Sequence, residues 1–117
     1  MAAKSSGKPK PLPAASLHLV LALLDGEQHG YALMSRVAEL SDGAVRMGPG
    51  TLYGTLNRLV EDGLIVETTE LAERDDNESW RYYDLTPIGR DVAVVEVARL
   101  QRMVKRIARH LPGPATA

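Results

Sequence analysis

Gly48 to Leu59, GPGTLYGTLNRL, decides how the rest of the chain is read. Pro49 and Gly50 break whatever precedes them, and proline is at home in the first turn of a helix, where its missing N–H has no partner to lose. From there Leu52, Leu56, Leu59 and Val60 follow the i, i+4, i+7, i+8 spacing of a buried stripe, while Gly54, Asn57, Arg58 and Glu61 fall on the opposite side. One face packs and the other is offered outward. Gly63 is placed to take the left-handed conformation that ends a helix, so the spacing predicts a helix over 50–62.

The segments on either side give this helix its setting. Upstream, Gly30 to Leu40 reads as a helix with Leu33, Val37 and Leu40 in one stripe and Tyr31, Met34 and Ala38 flanking it; Arg36 and Glu39 face outward, and Ser41-Asp42-Gly43 supplies turn chemistry. Two helices joined by a short turn form a helix-turn-helix, in which the second helix enters a DNA major groove. Downstream, Leu64 to Leu71 is rich in β-branched residues and Trp80 to Leu85 is aromatic, which predicts a hairpin whose loop is the acidic stretch AERDDNES. Farther upstream, the apolar run from Ala14 to Leu24 has the length of a helix but no periodicity that assigns a buried face. The expected fold is mainly α with a small β-hairpin: a winged helix-turn-helix over residues 14–86.

Thr86-Pro87 then starts a last helix, with a capping hydroxyl followed by proline, and Pro112-Gly113-Pro114 bounds it after Leu111. Within it Ala93, Val97, Leu100, Val104, Ile107 and Leu111 step by four and three, the repeat of a coiled-coil seam. At about 1.5 Å per residue such a helix spans roughly 35 to 40 Å, more than the preceding domain can cover. Residues 87–111 are therefore expected to dimerise, with Val92 and Val95 as the edge toward the chain's own domain. Arg99, Arg102, Lys105, Arg106 and Arg109 line the flanks of the seam as solvated cations. Residues 1–13, with Lys4, Lys8, Lys10 and three prolines, read as a disordered basic tail, and 112–117 as a second disordered tail.

Composition narrows the chemistry. A chain of 117 residues fits one small domain with one core. With no cysteine there is neither disulfide nor thiolate metal site, and His18, His29 and His110 lack ligand spacing, so no metal or cofactor is expected. His29 is expected to make a structural hydrogen bond at the start of its helix. No nucleophile–base pair or phosphate-cradling loop marks an enzyme. No apolar run reaches the roughly 20 residues of a membrane span, and the cytoplasm is the expected location. A net charge of −1 does not announce DNA, but the acids are unevenly placed: Glu67, Glu70, Glu73, Asp75, Asp76 and Glu78 crowd one segment, whereas 44–60 holds only Arg46 and Arg58.

Taken together, HGY at 29–31, GPGTLY at 48–53, Arg58-Leu59 and YYDLTPIGR at 82–90 resemble the PadR-like transcriptional regulators, in the short subtype with a single C-terminal dimerisation helix. The likeness runs from about Leu17 to Leu111. It implies a winged-helix homodimer that binds double-stranded DNA at an inverted repeat, a repressor released by a small-molecule effector or a change of state. It places Thr51 and Tyr53 at the DNA, the phenol toward a phosphate, with Asn57 and Arg58 following on the same helix. Two departures stand out. Gly54 replaces a larger polar or basic residue, and the acidic wing leaves Arg74 and Arg81 as its only cations. A rival reading is a winged-helix protein-interaction module that has given up DNA and engages a partner protein through this acidic wing.

Overall fold

The computed structural model describes residues 10–68 and 81–113. In chain order these form α1 (Ala14–Ala22), a 3-10 turn (Leu23–Asp25), β1 (Gln28–His29), α2 (Gly30–Leu40), α3 (Pro49–Glu61), β2 (Ile65–Thr68), β3 (Tyr82–Leu85) and α4 (Pro87–Ala108). The expected wing loop and both tails, except Lys10 to Pro13 and Pro112-Gly113, lie outside the described residues. No described helix is long and apolar enough to cross a membrane.

The three strands make one antiparallel sheet in the order β1-β3-β2, with Ile65 opposite Leu85 and Thr68 opposite Tyr82. β1 is a third strand where the sequence suggested a two-stranded hairpin. Only two residues long, with Gln28 opposite Tyr83 and His29 opposite Tyr82, it has no alternation to be read and exists because β3 supplies its partner.

Each helix ends as its local chemistry dictates. His29 caps α2 by accepting a hydrogen bond from the Ala32 N–H at its Nδ1, 3.2 Å away. After α2, Asp42 (φ 54°) takes the left-handed conformation, and the Gly43 N–H donates back to the Ala38 carbonyl at 2.7 Å. After α3, Gly63 (φ 79°) does the same: its N–H reaches the Val60 carbonyl, and the Leu64 N–H reaches that of Leu59, both at 3.0 Å. These paired return bonds satisfy carbonyls that a helix end otherwise leaves orphaned, and glycine takes the left-handed conformation without the steric cost a side chain would add.

The core forms where the stripes meet. Leu19, Val20 and Leu23 from the first helical segment, Leu33 and Val37 from α2, Leu52, Leu56 and Leu59 from α3, and Ile65 and Tyr83 from the sheet are all buried. Two predicted stripe members fall at its rim: Leu40 is 49% exposed and Val60 is 38% exposed. Both are the last apolar residue of their stripe, where the neighbouring element no longer covers the helix.

α4 crosses this core only with its first half. Its start is fixed by Thr86, whose hydroxyl accepts from the Gly89 N–H and donates to the Gly63 and Leu64 carbonyls. Gly89 lies so close to β2 that a Cβ there would sit 1.9 Å from the Leu64 carbonyl oxygen. Ala93 and Glu96 are buried, with Glu96 paired to Arg99 at 2.6 Å, and Val92 packs against the core. From Gln101 to Gly113 every residue is exposed.

One seam residue and one edge residue lie differently from their expected places. Ala93 belongs to the chain's own interior, and Val95, assigned to the inward edge, is half exposed. A four-three repeat marks a face but not which partner covers it, and here one continuous face serves the domain first and then runs past it. Leu21 of α1 and Val97, Leu100 and Val104 of α4 border an open apolar groove of 830 Å³ at the crossing point.

Candidate nucleic-acid interface

α3 buries Leu52, Leu56 and Leu59 and presents the opposite side to solvent, as its sequence pattern requires. Thr51, Gly54, Asn57 and Arg58 are all exposed on that side. Arg58 pairs with neither Glu61 nor Asp62; the ion pairs among the described residues are Arg36–Asp25, Arg81–Glu67 and Arg99–Glu96. None of its five donors is held in an ion pair among the described residues. A Cβ on Gly54 would meet nothing within 4 Å. The protein's own packing therefore does not demand glycine there, and its effect is to bare the helix backbone to whatever approaches.

The N-cap of α3 is Gly48, no side chain caps the helix, and Pro49 occupies the first turn. Thr51 lies inside the helix with a free hydroxyl beside N–H groups at the positive end of the helix dipole, an arrangement suited to a phosphate oxygen.

Tyr53 is half-buried and turned toward the start of α2. Its ring meets that of Tyr31 edge to face at 6.4 Å, and its hydroxyl lies against Gly30, where a Cβ would come within 2.4 Å of it. Burial raises the Tyr53 phenol above its usual value; the Tyr31 phenol pushes the same way and Arg81 opposes. The hydroxyl accordingly stays protonated at any physiological pH and remains a donor. Tyr31, Tyr53, Asn57 and Arg81 together line a surface recess of 310 Å³.

Arg81 reaches this recess from the start of the β3 segment. Its carbonyl accepts from the Gly30 N–H at 3.0 Å, which ties α2 to the sheet, and its exposed guanidinium lies 3.8 Å from Glu67. The fold thus brings Thr51, Tyr53, Gly54, Asn57, Arg58 and Arg81 to one side of the domain; Arg74 lies outside the described residues. Sequence spacing does not place Gly30 or Tyr31 at this site, because on a helical wheel Tyr31 merely flanks the Leu33 stripe. The signal that could have found them is the HGY run itself, whose glycine at a helix start has a purpose only if something lies against it.

Along α4, the seam residues divide. Val97 and Leu100 are partly covered, whereas Val104, Ile107 and Leu111 are 61%, 50% and 60% exposed in line along α4 and the turn after it. Among the described residues no group of three or more His, Asp or Glu side chains is arranged to hold a metal ion.

Comparison with known proteins agrees with this architecture. The chain is 35% identical over 94 residues to the transcriptional regulator Rv3488 of Mycobacterium tuberculosis, an alignment covering 80% of this chain and 82% of that one. Among solved structures it is similar to a PadR family transcription regulator from Clostridium difficile R20291, with a TM-score of 0.65 and 18% identity over 86% of this chain and all of the other. It is also similar to the organohalide sensing RdhR-CbdbA1625 transcriptional regulator in its 2,4-dichlorophenol bound form, with a TM-score of 0.66 and 19% identity over 87% of this chain and 54% of that one. At these identities the solved structures speak for the winged-helix fold alone. The model of the transcriptional regulator PadR-like family matches residues 20–94, well over half of the sequence, and the chain belongs to that family.

Proposed function

We propose that this regulator is a homodimeric repressor that binds an inverted-repeat operator, with α3 of each subunit in successive major grooves. The observation that carries the reading is the outward face of α3: Thr51, Gly54, Asn57 and Arg58 are exposed, polar or backbone-baring, and Arg58 has no ion pair among the described residues. An arginine so placed can donate two hydrogen bonds to a guanine, and an asparagine can read adenine. The face complements a base-pair edge far better than it complements a protein core.

Dimerisation is supported by the overhang of α4. Val104, Ile107 and Leu111 form an exposed apolar line beyond the reach of their own domain, and burying each is worth about 1.5 to 3 kcal/mol. Two-fold symmetry then sets half-sites about 10 base pairs apart centre to centre, or a multiple of that. For a small-molecule effector, the reading takes the open apolar groove between Leu21 and Leu100 as its place.

Titration with the DNA upstream of its own gene, against random duplex, tests the reading. The regulator should prefer the former and lose affinity steeply as salt rises. Arg58→Ala should cost about 1 to 3 kcal/mol at one base position per half-site. Equal affinity for both duplexes with no salt dependence would sink the proposal and favour a protein partner.

A further inference from the structure

Neither the α3 face nor the apolar seam accounts for the cations at the end of α4. Five of the chain's 14 Lys and Arg residues, and none of its 15 Asp and Glu residues, lie between Val97 and Leu111. Arg99 is used internally, paired with the buried Glu96. Arg102, Lys105, Arg106 and Arg109 are exposed, and none of them is in an ion pair among the described residues. We infer that these four form a second DNA-binding surface, indifferent to sequence, which holds the backbone of a duplex other than the one α3 reads. The inference rests on the DNA-binding reading above and adds a second duplex to it.

Three observations carry it. The first is segregation. At about 100° per residue, the four cations fall in a sector roughly 100° wide, centred opposite Leu100, Val104 and Ile107. Closing the apolar seam on a second subunit therefore leaves the cations open to solvent. The second is their single sign. Arg102 and Arg106 are four residues apart, as are Lys105 and Arg109, a spacing at which like charges destabilise a helix. A helix face that needs only water mixes its signs. The helix dipole rewards cations in the last turn, which covers Lys105 and Arg106 before the end at Ala108 but not Arg102, more than a turn farther back. The self-repulsion that remains is relieved by an external anion.

The third is placement. α3 and α4 each pack on α1 and hardly on one another, and from Gln101 onward α4 is bare. The four charges thus belong to an overhang, on a different element from Thr51, Asn57 and Arg58. Gln101 and His110 are the only neutral polar side chains beside them, so the surface carries charge without the groups that select one base or one peptide over another. A regulator seated on its operator is surrounded by duplex, which presents one phosphate charge per roughly 1.7 Å of axis. Arg102 to Arg109 rises about 10 Å along the helix, enough to face several such phosphates.

The test is capture of a second duplex. Short upstream DNA is fixed to beads, saturated with the full-length protein, washed, and offered a labelled random duplex at about 50 mM salt. The parent should capture it, with a log–log salt slope of about −3 to −4 if each cation meets one phosphate. Arg102→Gln, Lys105→Gln, Arg106→Gln and Arg109→Gln together should cut capture at least about tenfold while changing loading on the upstream DNA less than about twofold; each alone should lower the slope by about one. Glutamine keeps a helix propensity close to that of Lys and Arg, so melting and sedimentation should match the parent. If the parent captures nothing, or the combined variant captures as much as the parent, the surface is overturned while loading on the upstream DNA still stands. If the variant is monomeric, the cations belong to the subunit interface. If poly-glutamate at equal charge displaces the captured duplex as readily as unlabelled duplex does, an acidic protein is the better occupant. Either result removes the assignment to DNA. If the parent does not load on the upstream DNA at all, the DNA reading itself falls and this surface with it.

Discussion

α3 and the outer half of α4 both leave a face uncovered, and the two faces are opposite in kind. The α3 face consists of Thr51, Gly54, Asn57 and Arg58, groups that water satisfies fully and that can remain exposed between encounters. The α4 face consists of Val104, Ile107 and Leu111, which water disfavours at every moment. A polar face suits a partner that comes and goes; an apolar line suits one that stays. The composition of the two helices thus suits one face to a reversible contact and the other to a lasting one.

This contrast can be broken most forcefully at the apolar end. The pair Val104→Glu and Ile107→Glu should weaken self-association by at least about 100-fold, since two side chains per subunit that the proposed dimer would bury are lost and carboxylates enter their place. Sedimentation should then find monomers at micromolar concentration, with the head still folded. Next in size is the joint between the two regions. Gly89→Ala drives a Cβ into the Leu64 carbonyl and should cost about 1 to 3 kcal/mol in thermal or urea unfolding.

Gly54→Ala sharpens the polar side. Open space surrounds that position, so alanine should stabilise the free protein by about 0.5 to 1 kcal/mol through helix propensity while weakening DNA affinity. A gain in both would show that the backbone at Gly54 stands clear of the groove. The smallest effect concerns pH. Tyr83 is raised chiefly by burial and next by Glu67, and Tyr53 by burial and Tyr31. A phenol whose folded value is raised holds its proton longer in the native state than in the unfolded chain, so its contribution is intact below the ordinary value near 10 and is lost as pH climbs past it toward the folded value. Melting curves should be flat through neutrality and fall in that alkaline window, and Tyr83→Phe should shallow the fall.

Most of the architecture was legible because its signals are local. Pro49, Gly63 and Thr86-Pro87 mark helix ends through backbone chemistry that needs no tertiary context, and the Leu52, Leu56, Leu59 stripe names its own buried side. What depended on a neighbour was not legible. β1 is a strand only by virtue of β3. Leu40 and Val60 continue their stripes in sequence but run out of cover in space. Ala93 shares its repeat with Ile107, yet one packs inward and the other overhangs, because only the width of the domain decides where the cover ends. Arg99, expected from the sequence as one more solvated cation, instead pairs at 2.6 Å with the buried Glu96. At the site, residues sharing α3 were legible together, whereas the meeting of Tyr53 with Gly30 and Arg81 required three separate elements to converge.

The Thr86 hydroxyl has a mechanical consequence. It stitches the first turn of α4 to Gly63 and Leu64, the very residues that terminate α3. Any tilt of α4 imposed from its far end must either tear that stitch or drag the tail of α3 with it. A single threonine is therefore the joint at which the base of the long helix and the end of α3 are held to one another.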